Sequence, residues 1–348
     1  MRIRPACAVG VTLIAVLAVT GCRGTSPSGS GSAGPGTTET VKIMVGGIDK
    51  VIYLPAKLTE QLGYFKEQGI NVELLTEPAG VNAETAMLAG EVQGVVGFYD
   101  HTVDLQSKGK CATSVVQFAD VPGEVEMVAN SQADKIKTAA DFKGKKLGVT
   151  SPGSSTDFLT QALAAKGGLA AADYTTVKAG AGGTFVSAIT NGGIDAGMTT
   201  DPTAAQLLTT GQAKVLLDMR TEQGTRAALG GLYPAASLYA DCAWVDAHKP
   251  AVQKLANALI KGLKYINSHT AAEIAQKMPA DYYASGLELY VKALNDSKAM
   301  FNEDGKMKSE GAKNVLAVLS LANATVKAKK DTIDLSKTYT MELADNAK

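Results

Sequence analysis

The sequence predicts an α/β protein of two lobes, each a mostly parallel sheet flanked by helices, with a ligand cleft between the lobes. From Val41 onward short apolar runs alternate with helical segments, the rhythm of strand–helix–strand units. The scheme restarts at IKTAADFKGKKLGVT (136–150). A helix–glycine–strand segment also recurs at an offset of 102 residues, AMLAGEVQG from Ala86 and AITNGGIDA from Ala188. In both copies a glycine suited to ending a helix is followed at once by a strand.

Taken in order, VKIMVG (41–46) reads as a buried strand, Ala56–Phe65 as a helix and INVELL (70–75) as the next strand. A helix over Asn82–Ala89, a strand at 92–98, a helix near Thr102–Ser107 and strands at 112–119 and 124–130 follow. After the restart come a helix from about Thr156 to Lys166, strands at 175–179, 194–200 and 213–219, and helices near 184–191 and 202–210. LYPAASLYA (232–240) is a strand that returns the chain to the first lobe, and helical sequence runs from 248 to about 330. The expected division is lobe I from 41–130 plus 232–348 and lobe II from 131–231, with hinge crossovers near 131–136 and 219–231.

Composition excludes several functions. Of 348 residues 45% are hydrophobic and 20% charged, the formal charge is zero and only 5% are aromatic. A nucleic-acid partner, which needs a basic face, is therefore not expected. Past residue 22 no apolar stretch is long enough to cross a bilayer. Residues 1–21, with Arg2 and Arg4 before the apolar run Ala8–Val19, read as an export signal. It ends in V-T-G-C, so Cys22 is the expected lipidated N-terminus. Residues 22–40 then form a Gly/Ser/Pro-rich flexible tether. Cys111 and Cys242 are left, either bridged or as two buried thiols. With three histidines and no ligand spacing, neither a metal site nor a cofactor is expected.

LGVTSPGSSTDFL (147–159) is a strand, a turn and a helix start. It has the span of a phosphate loop, but Ser154 stands where that loop needs lysine. It lacks the G-x-S-x-G elbow of a serine nucleophile. What remains is a helix N-terminus with free N–H groups, where Gly153, Ser154, Ser155 and Thr156 would hold an oxyanion. The alternative is that a serine only caps the helix. The strand ends and turns Ile48, Asp49, Tyr53 and Gly80, with Phe98, Tyr99 and Asp100 as an aromatic wall carrying one acid, complete lobe I's candidates. Thr200 and Asp201 face them from lobe II. Ligands of open parallel sheets bind at such strand C-termini. No residue is assigned a catalytic role.

GGIDKVIYLPAKLTEQLGYFKEQGINVEL, AGEVQGVVGFYD and TAADFKGKKLGVTSPGSSTDFLTQALAAKGGL occur in the order seen in ABC-transporter substrate-binding lipoproteins. Over residues 41–240 the chain resembles their nitrate/sulfonate/taurine and thiamine-pyrimidine branch, of type II periplasmic-binding-protein-like fold. The resemblance implies a monomeric, non-enzymatic protein, anchored by lipid to the outer face of a bacterial cytoplasmic membrane. It would close on a small anionic or aromatic solute (a sulfonate, carboxylate or nitrate-like molecule) and serve an ABC permease and its ATPase. Alternatives are a thiamine-pyrimidine or flavin-type heterocycle as ligand, or an exported enzyme or sensor on the same fold.

Overall fold

The computed structural model describes residues 40–347; the signal peptide, Cys22 and the tether up to residue 39 lie outside the described residues. Thr40, assigned to the tether on sequence, opens the first strand. The chain runs β1 (Thr40–Val45), α1 (Leu54–Gln61), α2 (Tyr64–Glu67), β2 (Asn71–Thr76), α3 (Gly80–Leu88), β3 (Gly94–Phe98), α4 (Asp100–Ser107) and β4 (Ala112–Gln117). It continues through β5 (Glu124–Ala129), β6 (Lys146–Val149), α5 (Ser155–Lys166), β7 (Thr175–Lys178), α6 (Gly183–Thr190), β8 (Ala196–Thr200), α7 (Thr203–Thr209), β9 (Ala213–Asp218) and α8 (Glu222–Leu229). After β10 (Ala236–Asp241) come α9 (Cys242–Ala247), α10 (Lys249–Ser268), α11 (Ala271–Ala275), α12 (Leu287–Ser297), α13 (Ser309–Ala322), α14 (Ala324–Lys329) and α15 (Glu342–Asp345).

Two five-stranded sheets result, ordered β2-β1-β3-β10-β4 and β7-β6-β8-β5-β9. In each, three parallel strands are extended by an antiparallel one, β10 against β3 and β5 against β8. The repeated segment explains the likeness of the halves. Gly90 and Gly192 both take positive φ, 77° and 71°, after α3 and α6, and β3 and β8 begin four residues later. A left-handed residue there ends the helix without a Cβ clash.

β5 corrects the expected boundary. The sequence places it in lobe I, yet it pairs with β8 and β9 in the second sheet. The first crossover is therefore residues 118–123 rather than 131–136. Each sheet receives its antiparallel strand from chain arriving from the other lobe. The crossover is braced by a third segment: Asn302 N donates to Phe118 O and Asp120 N to Met300 O, at 2.9 and 3.2 Å.

The C-terminal helices also depart from the expected plan, in which they complete lobe I. Helix α10 does pack on α1, α2 and β4, but α12 packs on α7 and α13 on α5, both of the second lobe. Arg220 links these layers, reaching Asp201 at 3.0 Å and Asp296 at 3.5 Å. Cys111 and Cys242 form a disulfide across the starts of β4 and α9, with Cα atoms 5.5 Å apart. Among the described residues no helix is long and apolar enough to cross a membrane.

Candidate functional site

The C-terminal ends of β1, β3, β6 and β8 converge on a seam between the two sheets, and antiparallel pairing brings the start of β5 to the same rim. Register sets Glu124 opposite Thr200, the last residue of β8. Val125, Met127 and Ala129 point into a cluster with Phe185, Ala204 and Leu207. By strand alternation Glu124 and Glu126 face the other side, where α5 packs. Two backbone and side-chain bonds cross the seam: Val51 N donates to Asp201 O at 2.9 Å, and Ser155 Oγ to Asp100 Oδ1 at 2.7 Å.

The second of these bonds changes the reading of the GSST turn. Ser155 is the first residue of α5, and its hydroxyl is taken by the protein's own carboxylate. Asp100 also accepts from Tyr233 Oη at 2.8 Å. Burial raises its pKa, while His101 and the two hydroxyls pull it back. An incoming oxyanion would find an acid already at the helix end, with one donor spent. Thr156 Oγ1 accepts from Thr150 N at 3.0 Å, which leaves its hydroxyl proton to donate. Gly153, at φ 83°, donates its N–H to Asp157 at 2.8 Å. Ser154 occupies the N-cap position without capping: its Oγ is buried and has no partner among the described residues. Ser154 therefore does not cap α5, while an oxyanion at this turn would meet the Ser154 and Thr156 hydroxyls, free to donate among the described residues, beside the Asp100 carboxylate.

Other candidates divide similarly. Tyr53 is buried and meets Phe98 edge-on, ring centroids 6.4 Å apart. Tyr99 is no cleft wall, because its hydroxyl bonds Thr338 and its ring meets Tyr339. Thr200 ties its hydroxyl to Gly123 O at 2.9 Å, so it secures the crossover. Asp201 is fully buried and neutralised, taking Arg220, Ser297 Oγ at 2.6 Å and Ala205 N at 3.0 Å. Ile48 is half-buried and donates its N–H to Thr76. Exposed Asp49 borders a cavity of about 170 Å³ shared with Gly183, Thr203, Gln206, Tyr282 and Tyr290. A larger cavity, about 510 Å³, lies beside the disulfide, at the strand ends remote from the seam, so size alone does not mark the site.

Gly80 has a structural demand of its own. A Cβ there would stand 2.9 Å from His101 Nε2, so only glycine lets that ring pack against the loop. His101 Nδ1 lies 2.6 Å from Glu84 Oε2. Burial opposes the imidazolium, but Glu84 outweighs it and lifts the pKa to about 9. Across the seam its ring faces Phe158, 5.8 Å between centroids.

Two further residues stand at the seam: Lys50, which the sequence offers beside Asp49 and Tyr53 as a ligand contact or a solvated loop residue, and Glu124, which sequence reasoning missed. Lys50 directs its ammonium to Gly46 O at 2.7 Å and Pro78 O at 3.0 Å, and no carboxylate among the described residues bonds to it. Glu124 is 3% exposed, and its Oε2 has no partner among the described residues. Burial raises its pKa to about 7 against the pull of Lys50, with Asp100 and Asp201 pushing the same way as burial. The available signal was EVEMVA itself. Two acids at strand period two, in a strand otherwise apolar, place both on one buried face.

A model of the NMT1/THI5-like family matches residues 53–272. A protein of Bordetella bronchiseptica RB50 is 34% identical, over 88% of this chain and 96% of that one, with a TM-score of 0.84. The alkanesulfonate-binding protein of Xanthomonas axonopodis pv. citri, solved with MOPS, shares the fold at 18% identity and a TM-score of 0.66, over 86% of this chain and 98% of that one. The 4-amino-5-hydroxymethyl-2-methylpyrimidine phosphate synthase of Schizosaccharomyces pombe is 30% identical over 149 residues, 42% of this chain. The match spans only 40% of that curated relative's length.

Proposed function

We infer that this chain, which belongs to the NMT1/THI5-like family, is the extracytoplasmic solute-binding subunit of an ABC importer. It captures a small organic solute between its lobes and closes on it by bending at the 118–123 and 219–235 crossovers. The observation that carries this reading is the seam: strand ends of both sheets meet there, hydrogen-bonded across by Ser155 and Asp100. Beside that bond stand two buried groups, Ser154 Oγ and Glu124 Oε2, with no protein partner among the described residues. Sites of this kind combine a few placed polar groups with perturbed titration. Lipidation at Cys22 and the tether would hold the monomer at the outer face of the membrane, within reach of a permease and its ATPase. A permease that prefers the closed form would then select loaded subunits.

A sulfonate, carboxylate or nitrate is disfavoured as the solute because Asp100 already lies at the start of α5. The competing reading is an exported enzyme on the same fold, favoured by the pyrimidine phosphate synthase relative. Both are tested together. A thermal-shift screen against pyrimidines, flavins, amino acids, sulfonates, aromatic acids and nitrate should yield a solute that raises the melting temperature. Deleting the gene should abolish uptake of that solute. Unchanged uptake overturns the transport role, and turnover of the bound solute favours the enzyme.

A further inference from the structure

We propose that Lys50 and Glu124 form a paired donor–acceptor subsite that fixes the charge class of the solute. The ligand it takes presents a hydrogen-bond donor to Glu124 beside an acceptor to Lys50, and carries no net negative charge. Ureas, amides, amino-substituted nitrogen heterocycles and zwitterions meet that description; simple anions do not. The inference rests on the solute-binding reading above.

Charge compensation around the seam supports it. Arg220 neutralises Asp201, and Glu84 neutralises His101, at 3.0 and 2.6 Å. Outside these pairs the buried acids include Asp100, Glu124 and Glu126, and Lys50 is the cation whose charge acts on Glu124. Asp100 has two hydroxyl donors of its own. Among the described residues Glu124 has an orphaned oxygen, and Lys50 bonds carbonyls alone. A buried acceptor without a donor is costly, and a bound donor removes that cost. A further anion would instead add to the acids already enclosed there. The pair is also split between the lobes, Lys50 following β1 and Glu124 opening β5. A ligand bridging them therefore rewards closure, whereas a ligand held by one lobe does not.

Glu126 provides an internal control. It is fully buried two residues further along the same strand face, with both carboxylate oxygens unpartnered among the described residues. Its charged neighbour is Glu124, with no contribution from Lys50. It shares the burial without the pair.

The test uses the full chain and titrates urea, glycine, cytosine and 2-aminopyrimidine against methanesulfonate, acetate and nitrate, by thermal shift and calorimetry. A member of the first group should bind, the anions should not, and Glu124→Gln and Lys50→Met should each weaken binding at least tenfold. Glu126→Gln should leave the affinity unchanged. An anion that binds with affinity indifferent to Glu124→Gln overturns the subsite and leaves the solute-binding role standing. Equal loss in Glu124→Gln and Glu126→Gln also overturns it. No binding by any probe at 10-fold molar excess and above overturns the solute-binding reading itself, and the subsite with it. The apo melting temperature of each variant, read in the same scan, separates lost affinity from lost folding.

Discussion

Glu124 opens β5 opposite Thr200, and Asp201 follows Thr200 at the end of β8; both acids are buried, yet the protein treats them in opposite ways. Asp201 is bonded by Arg220, Ser297 and the backbone of α7, and so joins β8 to the C-terminal helices. Glu124 has no comparable partner among the described residues, and burial pushes its pKa up to about 7. The difference separates two uses of a buried acid. A compensated one is a joint of the fold, and an uncompensated one is a demand that a solute can meet. Identity and burial do not distinguish them; the partner set does.

The comparison is broken most severely at Arg220. Arg220→Met leaves Asp201 enclosed without its cation, and loss of one member of a buried pair costs about 3–5 kcal/mol. Chemical denaturation should show the loss directly. If the variant is as stable as the wild type, Asp201 is not a joint. Glu124→Gln should act with the opposite sign. A carboxyl raised to about 7 when folded, against 4.5 as its ordinary value, binds its proton more tightly in the native state. Stability thus falls as pH rises from 4.5 to 7, by on the order of 3 kcal/mol. The apo variant should gain melting temperature at pH 8 and nothing at pH 4. His101 extends the decline: its pKa of about 9 gives stability that is complete below 6.5 and lost as pH climbs through 9. Wild-type melting temperatures should therefore drop from pH 5 to pH 9.

Smaller effects sharpen the picture. Ser155→Ala removes the hydrogen bond that joins the lobes at Asp100, worth about 1.5–3 kcal/mol for a charged acceptor. Part of that loss should appear as opening, seen as a larger radius of gyration by solution scattering without ligand. At the bottom of the scale, Arg226 pairs with Glu222 and Glu310 in full exposure. Arg226→Ala should leave the melting temperature unchanged.

Much of the fold was legible because its signals are local. Apolar runs, the recurring glycine after a helix, and the strand–turn–helix at 147–159 each specify a short element through backbone sterics and burial. Membership of a sheet is not local. EVEMVA reads as a strand wherever it pairs, so its transfer to the second sheet left no mark except two acids at alternate positions. The site was less legible for the same reason. Ser155 was named, but its partner Asp100 lies 55 residues away, and only the packed lobes reveal that one candidate satisfies the other. Tyr99 looked like a cleft aromatic until Thr338 claimed its hydroxyl.

The exchange of antiparallel strands bears on how this chain is made. The first sheet holds β1, beginning at Thr40, and β10, ending at Asp241, so about 200 residues must follow its first strand before its last exists. At about 5–20 residues per second, synthesis spans that gap in roughly 10–40 s. Once β3 is made at Gly94–Phe98, its edge stays open for the remaining roughly 140 residues until β10 docks. The second sheet has all its strands by Asp218 and can mature first, although it begins later in the chain. The lobe that carries the N-terminus is thus the lobe completed last, and the emerging chain needs shielding there.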